Sequence, residues 1–226
     1  MYSIKILYFF TLFFLIKQLS SSEQSCQECY SPTKPSIFNC STYLLTRNCT
    51  NNTFVWDIVD FSSQNRRTFN SSQLVFLQMK SLILKSNSIE NISNSSFESL
   101  SSNLIELDLE NNRLKFISSK WFNTTFEYLT KLNLASNQIE TLTDLDHVYL
   151  PNLQQLNLSN NSIEHFPNEI HRWTSLTTLD LSSNQLSSVP RYALVGLTNL
   201  TWLSLASNRN LSCKSNMIIF QKNLYV

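Results

Sequence analysis

From residue 79 onward the apolar and polar positions repeat one phrase, Leu-x-x-Leu-x-Leu-x-x-Asn-x-Leu, with Ile or Met in some of the Leu positions. Met79, Leu82, Leu84, Asn87 and Ile89 make the first copy, and Leu104, Leu107, Leu109, Asn112 and Leu114 the second. Leu129, Leu132, Leu134, Asn137 and Ile139 follow. Next come Leu153, Leu156, Leu158, Asn161 and Ile163, and then Leu176, Leu179, Leu181, Asn184 and Leu186. A sixth copy keeps Leu200, Leu203, Leu205 and Asn208 and slips by one residue to Leu211. The asparagines are 25, 25, 24, 23 and 24 residues apart, a regularity that chance does not produce. A degenerate earlier copy runs Trp56, Val59, Phe61, Gln64, again 23 residues before Asn87, with Arg66 where an apolar residue is expected.

Leu-x-Leu at period two puts both leucines on one face of a short strand. Copies 23–25 residues apart then stack their strands side by side into a parallel sheet with about 4.8 Å between neighbours. The amide of Asn both donates and accepts. A buried column of Asn87, Asn112, Asn137, Asn161, Asn184 and Asn208 is therefore expected to satisfy the backbone where each coil turns away from the sheet. Apolar residues on the return path close the core from the other side: Ile92, Phe97, Leu100; Ile117, Phe122; Leu142, Leu145; Phe166, Ile170, Trp173; Val189, Leu194, Leu197. The expected fold is a solenoid of the α/β class, with a parallel sheet on the concave face and an irregular, short helical or 3-10 convex side.

Composition narrows the chemistry. Gly196 is the one glycine in 226 residues. Phosphate-cradling loops, dinucleotide fingerprints, nucleophile elbows and calcium loops need glycine at fixed places, which argues against all of them. Charged residues are 15% of the chain and the formal net charge is +1, so no field draws in nucleic acid or an acidic membrane. Their place is taken by 35 Leu, 35 Ser and 26 Asn, and a hydrophobic content of 42% still allows a sizeable core.

The amino terminus reads as an address. Lys5, the apolar stretch from Ile6 to Ile16 and the small residues Ser20, Ser21 and Ser22 match a secretory signal over 1–22, the mature chain beginning near Ser22 or Glu23. Eleven apolar residues rise about 16 Å as a helix, short of a bilayer's roughly 30 Å, so a cleaved signal is favoured over a retained anchor. Four cysteines follow, Cys26, Cys29, Cys40 and Cys49. In an oxidising compartment they suit a disulfide framework better than zinc or redox chemistry, with three connectivities open. Asn-x-Ser/Thr acceptors fit the same route at Asn51, Asn70, Asn91, Asn94, Asn123, Asn157, Asn160, Asn199 and Asn210; those at Asn39 and Asn48 have a cysteine in the middle.

Over about residues 56–211 the chain resembles extracellular leucine-rich-repeat proteins of the Toll-like receptor ectodomain, Slit and small leucine-rich proteoglycan kinds. By that resemblance, 23–55 is an amino-terminal cysteine cap, and the pairing it implies is Cys26 with Cys40 and Cys29 with Cys49. Cys29 and Cys40 are farther apart than the family's second and third cap cysteines often are. Leu211-Ser212-Cys213 resembles the entry to a carboxyl-terminal cap whose further cysteines are missing, leaving 212–226 as an incomplete cap or tail. Met217-Ile218-Ile219-Phe220 is too short to span a membrane. Truncation, an intermolecular bond and a free thiol are the open explanations for Cys213, and self-association through it or through a bare coil end is an expected consequence.

Outward positions of the strands form the surface a partner would meet. Lys85, Glu106, Asp108, Glu110 and Lys131 make a charged patch over three strands, with Asn133 beside it. Trp202 is the one aromatic among the outward positions, and aromatics are favoured anchors. Lys85 with Glu110, and Glu106 with Lys131, share register and are also candidates to pair across the ladder. The histidines His147, His165 and His171 fall on return segments without metal or catalytic spacing, and no nucleophile has a base-and-orienter set. No cofactor is expected. The expected function is non-catalytic extracellular recognition of a protein or glycan ligand, of the innate-immune or cell-adhesion receptor kind; the alternative is a matrix or adhesion component.

Overall fold

The structure is a computed structural model of the chain and describes residues 37–39, 55–70, 78–122, 125–142 and 148–211. The signal segment 1–22, the five cysteines Cys26, Cys29, Cys40, Cys49 and Cys213, the acceptors Asn51 and Asn123, Leu145, His147 and the tail 212–226 lie outside the described residues.

Ten strands are described: β1 (Ile37–Asn39), β2 (Val55–Asp60), β3 (Thr68–Phe69), β4 (Gln78–Ile83), β5 (Asn91–Ile92), β6 (Glu106–Asp108), β7 (Lys131–Asn133), β8 (Gln155–Asn157), β9 (Thr178–Asp180) and β10 (Trp202–Ser204). Eight form one sheet in the order β1-β2-β4-β6-β7-β8-β9-β10, and every pair in it is parallel. The central leucines are in step across the sheet, Leu82 with Leu107, Leu132, Leu156, Leu179 and Leu203. Val59 takes the same register beside Leu82, so the strand of the degenerate first copy joins the sheet in step. Its Arg66 stays in step because the backbone N–H donates to Asn87 Oδ1, while the guanidinium lies over the Phe61 ring, 4.7 Å from its centroid. The sheet also runs on into the segment read as a cap, through β1. β3 and β5 form a second, two-stranded parallel sheet that the period-two pattern did not announce.

One apolar core threads the solenoid. The repeated leucines from Leu82 to Leu203 are buried, and so is every described return-path residue named above. Leu205 is partly buried and packs against the core, whereas its equivalents Leu84, Leu109, Leu134, Leu158 and Leu181 are fully enclosed. The return side carries no α-helix among the described residues; its regular pieces are short 3-10 turns such as Glu98–Leu100, Ser119–Trp121 and Asn168–Arg172. Behind the first coils Phe69, Phe97, Phe122 and Phe126 line up as a spine with centroids 5.5, 5.7 and 5.1 Å apart, the first pair stacked, the second tilted and the third edge-to-face.

The asparagine column is bonded coil to coil. Asn137 Oδ1 accepts from Leu114 N–H (3.0 Å) of the preceding coil, and its Nδ2 donates to Leu109 O (3.0 Å) of that coil and to Leu134 O (3.1 Å) of its own. Asn112, Asn161, Asn184 and Asn208 repeat the arrangement. Asn87 also does so, except that its Oδ1 accepts from both Gln64 N–H and Arg66 N–H. Leu84 O, Leu109 O, Leu134 O, Leu158 O and Leu181 O each accept from two asparagines, so both lone pairs of a buried carbonyl are satisfied. The residue before each column position has positive φ: Ser63, Ser86, Asn111, Ser136, Asn160, Ser183 and Ser207. The left-handed turns that glycine usually serves are therefore made here by serine and asparagine. Gly196 serves another need: a Cβ there would press far inside van der Waals contact of the His171 carbonyl oxygen.

Candidate binding surface on the sheet

The outward side chains come in registered rows. One row reads Ser81, Glu106, Lys131, Gln155, Thr178, Trp202, and the next reads Asp60, Ile83, Asp108, Asn133, Asn157, Asp180, Ser204. The charged patch predicted from sequence is thus brought together on β4, β6 and β7, with Lys85 and Glu110 just past the strand ends. Ser81 and Ala135, though outward in register, are buried.

Neither cross-ladder pair expected from register closes into an ion pair. Glu106 Oε2 instead accepts from Ser81 Oγ (3.3 Å), and Glu110 Oε2 from Asn133 Nδ2 (3.2 Å). The Lys85 and Lys131 ammonium groups engage no described side chain in a hydrogen bond or ion pair. Lys80 does pair with Asp57 (2.8 Å), but both are about half exposed, so the contribution is small.

Two of the predicted site residues carry a structural duty that the repeat phrase alone did not reveal. Asp108 Oδ1 accepts from Glu110 N–H (3.0 Å) and Asn133 Oδ1 from Ala135 N–H (3.2 Å). Asp60, Asn157 and Asp180 do the same two residues on, closing an Asx turn where each strand ends. The recurrence of Asp or Asn between the two leucines of the phrase is the sequence signal from which it could have been found. Burial pushes the Asp108 carboxyl above its ordinary value of 3.8; the Glu110 N–H works against this, the Glu110 charge adds to it, Lys85 opposes it and Glu106 adds to it.

Trp202 sits on β10 with 40% of its surface exposed, at the far end of the row from Glu106. The acceptors Asn157 and Asn160 lie on or beside the sheet face, whereas Asn70, Asn91, Asn94, Asn199 and Asn210 are exposed away from the outward rows. His165 and His171 are exposed on the return side and do not meet the patch. No group of three or more potential metal ligands occurs among the described residues, and no described helix is long and apolar enough to cross a membrane.

The profile described as leucine rich repeat matches residues 78–124, 102–163, 127–186 and 151–210. Among solved structures, a leucine-rich-repeat protein of Leptospira interrogans is similar at 28% identity with a TM-score of 0.50. The similarity covers 66% of this chain and 42% of that one, so this chain spans less than half of that protein. No curated protein matches the chain. Domains of this repeat generally serve as protein-interaction scaffolds. With matches running from residue 78 to 210, well over half of the sequence, the chain belongs to the leucine-rich-repeat family.

Proposed function

We propose that the protein is a non-catalytic extracellular recognition module that binds a protein ligand through the amino-terminal half of its sheet face. One observation carries this reading: the Lys85 and Lys131 ammonium groups are left without a described hydrogen-bonding partner beside Glu106, Asp108 and Glu110 on three adjacent strands. A partner of complementary charge would be steered and oriented by such a face. The secretory route rests on the leader-like segment 1–22, and the cap pairing Cys26–Cys40 and Cys29–Cys49 on the resemblance of the cysteine segment. Exposure of Asn70, Asn91, Asn94, Asn199 and Asn210, all away from the outward rows, is compatible with attached sugar.

The test is a binding screen of the secreted chain against purified ectodomains and matrix proteins, repeated with Glu106→Lys plus Lys131→Glu. A genuine sheet-face ligand loses about tenfold or more in affinity with that pair, while Glu164→Lys on the return side leaves it unchanged. Binding that survives the sheet-face pair and fails with Glu164→Lys would overturn the assignment.

A further inference from the structure

The other half of the sheet face has a different chemistry. Among the outward positions of β8, β9 and β10 and the short stretches after them, Asp180 is the one ionisable side chain. Gln155, Thr178 and Trp202 stand side by side in register on three neighbouring strands. The side chains of Gln155 and Thr178 make no hydrogen bond within the described residues. Asn157 and Asp180 each commit one oxygen to their turns and keep Nδ2 and Oδ2 available. Amide and hydroxyl groups therefore face outward with hydrogen-bonding capacity to spare, and one indole bounds them.

We propose that β8–β10 hold a neutral oligosaccharide, an inference that rests on the sheet face being the recognition surface. Trp202 stacks on the C–H face of one pyranose. Thr178, Gln155 and the free atoms of Asn157 and Asp180 bond the ring hydroxyls of the next units. Neighbouring strands are about 4.8 Å apart, close to the advance of one pyranose along a linear glycan, so a chain crossing the strands offers each of them one sugar. A protein partner fits less well, because the centre of a protein interface is apolar and this surface is polar with a single aromatic. An anionic glycan also fits less well, because no cation stands on these strands and Asp180 would repel it.

The chain is produced in a bacterial periplasm, where disulfides form and no sugar is added at Asn157 or Asn160, and is titrated against a panel of neutral and anionic oligosaccharides. A neutral member binds, Trp202→Ala lowers its affinity about tenfold or more, Thr178→Ala lowers it less, and Glu164→Lys on the return side leaves it unchanged. Trp202 is exposed enough for its loss to leave thermal unfolding in place, which circular dichroism verifies. Three results overturn the inference: no neutral oligosaccharide binds, binding ignores Trp202, or only anionic members bind and Lys131→Glu abolishes them. If any of these occurs while an ectodomain still binds through Glu106 and Lys131, the sheet-face reading stands and only the saccharide site falls.

Discussion

At Gln64 the asparagine column meets a side chain one methylene too long. The Gln64 Nε2 is buried without a partner, while its Oε1 accepts from Arg66 Nε (2.8 Å). In the later coils, an asparagine at this position donates to the carbonyl three residues back, as Asn87 does to Leu84 O. Gln64→Asn would let the amide reach Phe61 O, which now receives only Asn87 Nδ2 of the next coil. Urea unfolding should show a gain of about 1 kcal/mol. A second residue-scale effect sits at Asp108. Its folded pKa is raised, chiefly by burial, so its favourable contribution is fully present below 3.8 and is lost as pH rises through the folded value. At pH 7 the ionised carboxylate therefore costs stability. Asp108→Asn keeps the turn-closing oxygen, as Asn133 and Asn157 do in the same row. The variant should be more stable than the parent at pH 7, and paired urea titrations should show that advantage shrinking as pH approaches and passes below 3.8.

At the scale of the element, the strands were readable because each Leu-x-Leu has one face to bury and the period of two allows no other register. The registers across β4 to β10 follow the phrase residue for residue. The return side was readable only as a set of apolar positions. Its backbone form is set by how each irregular stretch packs on the coil before it, and no local period encodes that. The phenylalanine spine was equally hidden: Phe69 and Phe126 sit at places in their coils that differ from Phe97 and Phe122, and only the packing of the return sides brings them together. Phe97 is fully enclosed between Phe69 and Phe122. Phe97→Ala should cost about 3–5 kcal/mol in a thermal or urea experiment. The charged residues of the candidate site were found from register alone. Their partners were not, because a lysine or glutamate side chain has several rotamers and the choice between ladder neighbours is made in three dimensions.

Across the whole molecule, stability is shared between neighbouring coils, so a local loss should spread over a coil or two before it reaches the ends. Asn137→Ala makes this measurable. Leu109 O and Leu134 O keep the amides of Asn112 and Asn161, and Ala135 O keeps the N–H of Asn111, but Leu114 N–H loses its acceptor. A single stranded donor costs about 1–3 kcal/mol. Amide exchange should quicken first at Leu114 and its neighbours and last at Leu186, whose acceptor is Asn208.

The column also has a direction. Each turn waits for an asparagine that comes 21–23 residues later, as Ile89 waits for Asn112 and Ile163 for Asn184. A ribosome delivers the chain from the amino terminus, so the newest coil on a growing polypeptide is always one asparagine short. Folding then trails translation by one coil, each loop being locked in place by the arrival of its successor.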